Sequence, residues 1–312
     1  MHRSPRFPDP LDIIRTVREA RFVAGPVCPH CDQREIILWG AFSGRQRYRC
    51  KMCRKTFSDL TRTPFAYSKR ISDWPHYLVH VRRSSTLRVA AERLDMHLST
   101  AFHWRHALLR YMEALDCTTL DGTVELKELL FAYSRKGARG LNEPRSRGVR
   151  FRGWEWHQVP RDRVLLGWSR AGIVHSAMIG GSAVEVALVQ DWVHSRLRGR
   201  CTILSRLPRA GPVGSPFRSA GHDFQMLRSI PGTHELGTRH TRNVEAYERR
   251  LLGWIGKFRG VASKYRDRYL VWHHRIDADY DLTWSRTLVF ATLRPPTPPD
   301  PVRQGICVDR PP

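Results

Sequence analysis

Apolar residues recur along this chain in two rhythms, and the change from one to the other marks its plan. From Ile71, Trp74, Tyr77, Leu78 and Val81 return at steps of three and four, which places them on one face of a helix. Leu87, Ala90, Ala91 and Leu94 make a second stripe. Asp95-Met96-His97-Leu98 then reads as a turn, and Ser99 or Thr100 as the cap of a further helix. Two helices joined in this way form a helix-turn-helix. In the second, Ala101, Trp104, Leu108 and Tyr111 are expected to pack inward, leaving His103, His106 and Arg110 on the face where a recognition helix meets a major groove. The competing reading is a helical hairpin that only braces its neighbour.

From Gly122 the texture becomes short apolar runs with helices between them, as an α/β domain requires. Gly122 to Phe131 reads as a first strand, Val164 to Trp168 and Ile173 to Ile179 as the next two, and Thr202 to Leu204 as a short fourth. Val184 to Leu197 reads as a helix, and so does Thr241 to Phe258, whose buried stripe is Val244, Tyr247, Leu251, Trp254 and Phe258. Ahead of all this, a short helix is expected near Leu11 to Arg15, and the proline-rich tail from Pro295 is expected to be disordered.

Between the lead helix and the helical region lie two Cys-x-x-Cys pairs, Cys28/Cys31 and Cys50/Cys53, separated by eighteen residues. That interval holds the turn Ser43-Gly44 and the basic strand Arg45-Gln46-Arg47-Tyr48-Arg49. Each pair can present two sulfurs from one tight knuckle, and the hairpin returns the chain so that four thiolates close around one structural Zn²⁺. The alternative, four unrelated buried or disulfide-bonded cysteines, fits poorly with an N-terminus that has no apolar signal region. His30, inside the first knuckle, is expected to face solvent, because a structural site is full at four ligands.

Charge narrows the class of partner. The chain has 312 residues, with 53 Lys and Arg against 29 Asp and Glu, a net charge of +24 and a pI near 10.8. This excess points to a polyanion, and the basic residues are spread too widely for a membrane-surface helix. The longest mostly apolar segment, Ile173 to Val193, is interrupted by His175, Glu185, Gln190 and Asp191, too polar to span a bilayer. Double-stranded DNA is therefore the expected partner, with no membrane association, in a reducing cytoplasm or nucleoid. Candidate contacts are Arg45, Arg47, Arg49 and Lys51 on the ribbon, His103, His106 and Arg110 on the second helix, and Lys257 and Lys264 near the last third.

In order along the chain, CPHC, GRQRYRCKMCRKTFSDLT, STLRVAAERL, STAFHWRH, VELKELLFAYSRKG and NVEAYERRLLGWIGKFRGVASKY resemble the zinc-ribbon DDE transposases of bacterial insertion sequences, in the group with an ISXO-two-like catalytic domain. The first and last thirds match well, and residues 140–237 poorly. The resemblance implies an α+β multidomain chain: a lead helix over residues 1–22, a zinc ribbon over 23–60, a helix-turn-helix region over 61–118, an RNase H-like (integrase-like) α/β domain over 119–292 and a tail over 293–312. It also implies DNA element ends as partner, a homo-oligomer that joins two ends, and two Mg²⁺ ions held by carboxylates from the first strand, the fourth strand and a late helix.

The acidic positions depart from that pattern. Lys127 stands where the resemblance calls for the first Asp, and an ammonium offers a cation no lone pair. Glu128 points to the other face of the strand, and Glu125 lies two residues, about 6.6 Å, away. Glu125, Lys127 and Glu128 are therefore read as a solvated charge cluster. No acid occurs between Asp191 and Asp223, so the second ligand, due near Leu204 to Gly211, is missing. Glu245 matches the third, and is either a surviving ligand or half of an exposed pair with Arg249. Three functions stay open: a transposase whose catalytic carboxylates are lost, an active enzyme using a rearranged set such as Glu125, Asp191 and Glu245, or an inactive zinc-dependent DNA-binding protein that regulates a related element.

Overall fold

The computed structural model describes residues 10–42, 45–138, 160–227 and 239–278, and the chain divides into two compact units at Leu115/Asp116. The Ser43-Gly44 turn and the expected tail lie outside the described residues.

The first unit begins with α1 (Pro10–Arg21) and a three-stranded antiparallel sheet, β1 (Ile36–Phe42), β2 (Arg45–Cys50) and β3 (Thr56–Ser58), with β2 central. The alternation of β2 turns Tyr48 and Cys50 inward, while Arg47 is exposed and Arg45 and Arg49 are half-buried. Tyr48 pairs with Phe57 across the ladder, their rings stack at 5.2 Å, and Phe22 meets both edge-on, a small aromatic core under the cysteines. The lead helix is fastened to this ribbon. Arg18 donates from Nε and Nη2 to the two carboxylate oxygens of buried Asp59, at 3.1 and 2.8 Å, and Tyr48 donates to the same carboxylate.

A 3-10 turn at Ile71–Asp73 leads into α2 (Trp74–Arg82), followed by α3 (Leu87–Arg93) and α4 (Leu98–Ala114). Trp74, Tyr77, Leu78 and Val81 are buried as their spacing requires, Trp74 stacks on Trp104 with centroids 4.2 Å apart, and Tyr77 donates its hydroxyl to the Ala101 carbonyl. Two expectations need correction. The cap of α4 is His97, whose Nδ1 accepts from the Ser99 amide at 3.2 Å, so the helix starts two or three residues earlier than a serine or threonine cap would set it. His106 does not share the outer face with His103 and Arg110. It is buried, with its ring 4.2 Å from that of Phe102, because Arg105, Leu109 and Met112 widen the inward arc. Arg105 is itself buried and donates to the Ser85 carbonyl at 2.6 Å, holding α4 against the start of α3.

The second unit is a mixed sheet of β4 (Thr123–Ala132), β5 (Arg161–Ser169), β6 (Val174–Gly180), β7 (Thr202–Ser205) and β8 (Asp223–Met226), in the order β6-β5-β4-β7-β8. β4, β5 and β6 pair antiparallel; β4, β7 and β8 pair parallel. Parallel pairing needs crossovers, supplied by α5 (Val186–Arg196) between β6 and β7 and α6 (Gly214–Ser219) between β7 and β8. α7 (Arg242–Gly256) and α8 (Arg266–Ala278) follow.

Val124 and Leu126 of β4 join Val189, Trp192 and Val193 of α5 and Val213 and Phe217 beside α6 in one apolar core. Alternation then sends Glu125 and Lys127 to the opposite face, which α7 covers. Val244, Tyr247, Leu251 and Trp254 form its buried stripe, and Phe258 is buried just past its end. Gly167 matters for the first face, since a Cβ there would lie 2.8 Å from Leu120 Cδ1 and 2.9 Å from the Trp192 ring.

Candidate functional site

Four sulfurs meet at one end of the ribbon. Sγ of Cys28, Cys31, Cys50 and Cys53 all lie within 4.8 Å of one another, with Cys28 to Cys53 and Cys31 to Cys50 both at 3.6 Å. A Zn–S bond of about 2.3 Å in a tetrahedron sets sulfurs about 3.8 Å apart, so the spacing fits a zinc ion. It is far from the roughly 2.05 Å of a disulfide, and the four are free thiols. The His30 amide, 3.4 Å from Cys28 Sγ, adds the turn hydrogen bond of a knuckle. Burial pushes the metal-free Cys28 thiol up to about 12, so ion binding must expel protons to generate thiolates. His30 is half-buried, and burial followed by the charges of Arg62 and Lys55 lowers its pKa. Among the described residues this is the one cluster of three or more Cys, His, Asp or Glu side chains placed to share a metal. The four-cysteine centre has the geometry of structural zinc.

On the α7 face of the second sheet, the residues read as a solvated cluster are built into the fold, which corrects that expectation. Glu125 has 0% side-chain exposure. Its Oε2 accepts the amides of Asn243 and Val244 at 2.9 and 3.0 Å, and its Oε1 accepts Asn243 Nδ2 at 2.8 Å. Arg170 Nη2 lies 3.1 Å and His240 Nδ1 3.6 Å from Oε1. A strand carboxylate thus satisfies the free amides in the first turn of α7 and meets the positive end of its dipole. Glu128 forms an ion pair with Arg163 on the neighbouring strand.

Lys127 forms an ion pair with Glu248 of α7. Leu126 and Ser205 are the last registered pair of the parallel β4/β7 ladder; Lys127 follows within β4, still paired with Leu166 of β5, and Arg206 follows just past the end of β7. Arg206 Nε lies 3.7 Å from Glu245 Oε1, which also accepts the Thr241 hydroxyl at 3.0 Å. Glu245 is therefore not paired as the Arg249 reading supposed. Glu245 and Glu248, three residues apart on one helix face, each meet a cation, Arg206 just past β7 and Lys127 within β4. Asp191 is exposed on α5, the helix packed on the other face, and the set Glu125, Asp191 and Glu245 is not brought together. Sequence reading missed Arg170, Asn243 and Glu248. The signal available was Glu248 one turn beyond Glu245; the other two carry none.

The basic surfaces are mixed. Arg49 lies over the Trp39 ring at 4.5 Å, Arg47 reaches Thr56 Oγ1 at 3.4 Å, Arg45 reaches the Ser68 carbonyl at 3.3 Å, and Lys51 is exposed. His103, Arg110, Lys257 and Lys264 are exposed. Arg266, two residues past Lys264, is by contrast buried. It is ion-paired to Asp162 at 2.7 Å and stacked over Phe131 at 4.6 Å.

Residues 12–56, which hold all four cysteines, match the transposase zinc-ribbon domain family. Over 139 residues the chain is 30% identical to an uncharacterized protein in transposable element ISH50 of Halobacterium salinarum, a match that covers 43% of this chain and 46% of that protein. The chain thus spans just under half the length of that relative. The cysteine centre belongs to a transposase-type zinc ribbon, and the chain around it is related to a protein of a transposable element.

Proposed function

We infer that this protein is a transposase-type, zinc-dependent DNA-binding protein that does not itself cut or join strands, and that it acts as a regulator of a related element. The observation that carries the reading is the double ion pair of Lys127 with Glu248 and Arg206 with Glu245. An RNase H-like site of the ISXO-two-like group needs acids from the first strand, the fourth strand and a late helix. Here β4 and β7 are adjacent and parallel and α7 packs on β4 and β5, which supports that fold.

Two cations stand at the strand positions. A divalent ion about 4 Å from one ammonium meets a repulsion on the order of 8 kcal/mol at an effective dielectric of about 20, before solvent screening. These residues therefore do not fit Mg²⁺, and no strand-transfer step follows from them.

Binding is what remains. A net charge of +24 favours duplex DNA, and α3, the turn over residues 94–97 and α4 support a helix-turn-helix with Ser99, His103 and Arg110 outward. Ribbon residues Arg45, Arg47, Arg49 and Lys51, with Lys257 and Lys264, are assigned to phosphate contacts. Zinc-loaded protein should retard duplex DNA with a steep loss of affinity on adding salt, and should leave supercoiled plasmid intact in Mg²⁺ or Mn²⁺. Nicking that disappears on Glu245→Ala would overturn the reading.

A further inference from the structure

A basic cavity sits beyond the features used so far, beside α6 and the starts of β7 and β8. Arg200, Arg209 and Arg218 line a space of about 430 Å³ together with Ser215, Ser219 and His222. No acidic residue is among the described residues lining it. Arg163, Arg170 and Arg250 of the same unit are each ion-paired, to Glu128, Glu125 and Asp277. The side chains of Arg200, Arg209 and Arg218 have no hydrogen-bond or ion-pair partner among the described residues. Three guanidinium groups gathered without a carboxylate repel one another, and an anion between them relieves that repulsion.

The cavity has neutral donors as well. His222 Nδ1 accepts the Cys201 amide at 3.1 Å, which fixes the ring and leaves Nε2 as its N–H donor. Burial, then the charge of His194, lowers the His222 pKa, which keeps the ring in that neutral form at pH 7. The hydroxyls of Ser215 and Ser219 complete a set of forked and single donors suited to tetrahedral oxyanions. The space is several times larger than a bare phosphate, as a phosphodiester with its flanking sugars requires.

We propose that Arg200, Arg209 and Arg218, with Ser215, Ser219 and His222, form a pocket for one backbone phosphate of bound nucleic acid. This rests on the DNA-binding reading above and adds a contact that neither the ribbon nor the helix-turn-helix supplies. Such a contact positions a duplex without reading its bases.

The test is the salt dependence of duplex binding by the full zinc-loaded chain. Replacing Arg200, Arg209 and Arg218 together by Gln should lower the slope of log K against log salt by about one and weaken binding to unrelated duplexes alike. Arg198→Gln, an exposed neighbour outside the cavity, should change the slope less than Arg218→Gln. Wild-type protein that binds DNA with a slope the triple variant leaves unchanged overturns the pocket alone, as does an equal effect of Arg198→Gln. Wild-type protein that fails to bind any duplex overturns the DNA-binding reading and this proposal with it. Inorganic phosphate titrated alone distinguishes the source: if it raises the melting temperature of the wild type but not of the triple variant, and the DNA slopes agree, the pocket serves free phosphate and the backbone assignment is wrong.

Discussion

Removing the Glu125 carboxylate separates a built-in anchor from a surface charge. Glu125→Ala takes the acceptor from the Asn243 and Val244 amides and from Asn243 Nδ2, and the counter-charge from Arg170. A buried donor left without its acceptor costs about 1–3 kcal/mol, and an anion in a partly buried helix N-terminal turn contributes up to about 2 kcal/mol. These terms overlap, so a total of about 3–5 kcal/mol is expected, in the range for breaking a buried ionic network. At roughly 2–4 °C per kcal/mol for a unit of this size, melting should fall by about 10 °C. Glu125→Gln keeps the shape but presents an amide donor where acceptors are needed, and should cost about 2 kcal/mol. Urea unfolding of the zinc-loaded protein gives the free energy, and amide hydrogen exchange at Asn243 and Val244 locates the loss. A change in Glu125→Ala within about 0.5 kcal/mol, as for an ordinary surface substitution, would refute the anchoring role.

Other consequences are independent of that network. Chelation of zinc, or Cys50→Ser, should unfold the ribbon and broaden the Tyr48 and Phe57 resonances; a ribbon that keeps its dispersion without metal would contradict the structural role of the ion. Asp162→Asn should cost about 3–5 kcal/mol by stranding buried Arg266, while a volume-matched apolar replacement of both should recover most of it, measured in a double-mutant cycle. Burial lowers the His273 pKa to about 4, and its Nδ1 is hydrogen-bonded to the Tyr247 hydroxyl at 2.6 Å. Its folded pKa lies below the unfolded value of about 6.5, so the stabilisation from its neutral ring is complete above that value and lost as pH falls toward 4. The urea midpoint should drop between pH 7 and pH 5; a midpoint that rises would refute the assignment.

What the sequence made legible was local. The two Cys-x-x-Cys pairs declare their chemistry by spacing alone, and the stripes Trp74 to Val81 and Val244 to Trp254 bury apolar residues at helical steps. α8 was not legible because its buried side includes Arg266, His273 and His274, polar residues that partners elsewhere in the chain make tolerable there. β8 and α6, at Asp223–Met226 and Gly214–Ser219, are too short for any period to emerge. The reading of Glu125 failed for a related reason. Its environment is set by the first turn of a helix more than a hundred residues later, and nothing near Glu125 in sequence announces that contact. His106 failed by geometry, because α4 is buried over a wider arc than one apolar stripe indicates.

Under the proposed function, Lys127 and Arg206 take the places where a pair of divalent ions would otherwise be bound. Manganese titration of the zinc-loaded protein, followed by electron paramagnetic resonance, tests this most directly. No manganese should bind beside Lys127, Arg206, Glu245 and Glu248 at millimolar concentration, with identical spectra for the wild type and Glu245→Ala. Two coupled manganese ions that bind the wild type and are lost in Glu245→Ala would contradict it.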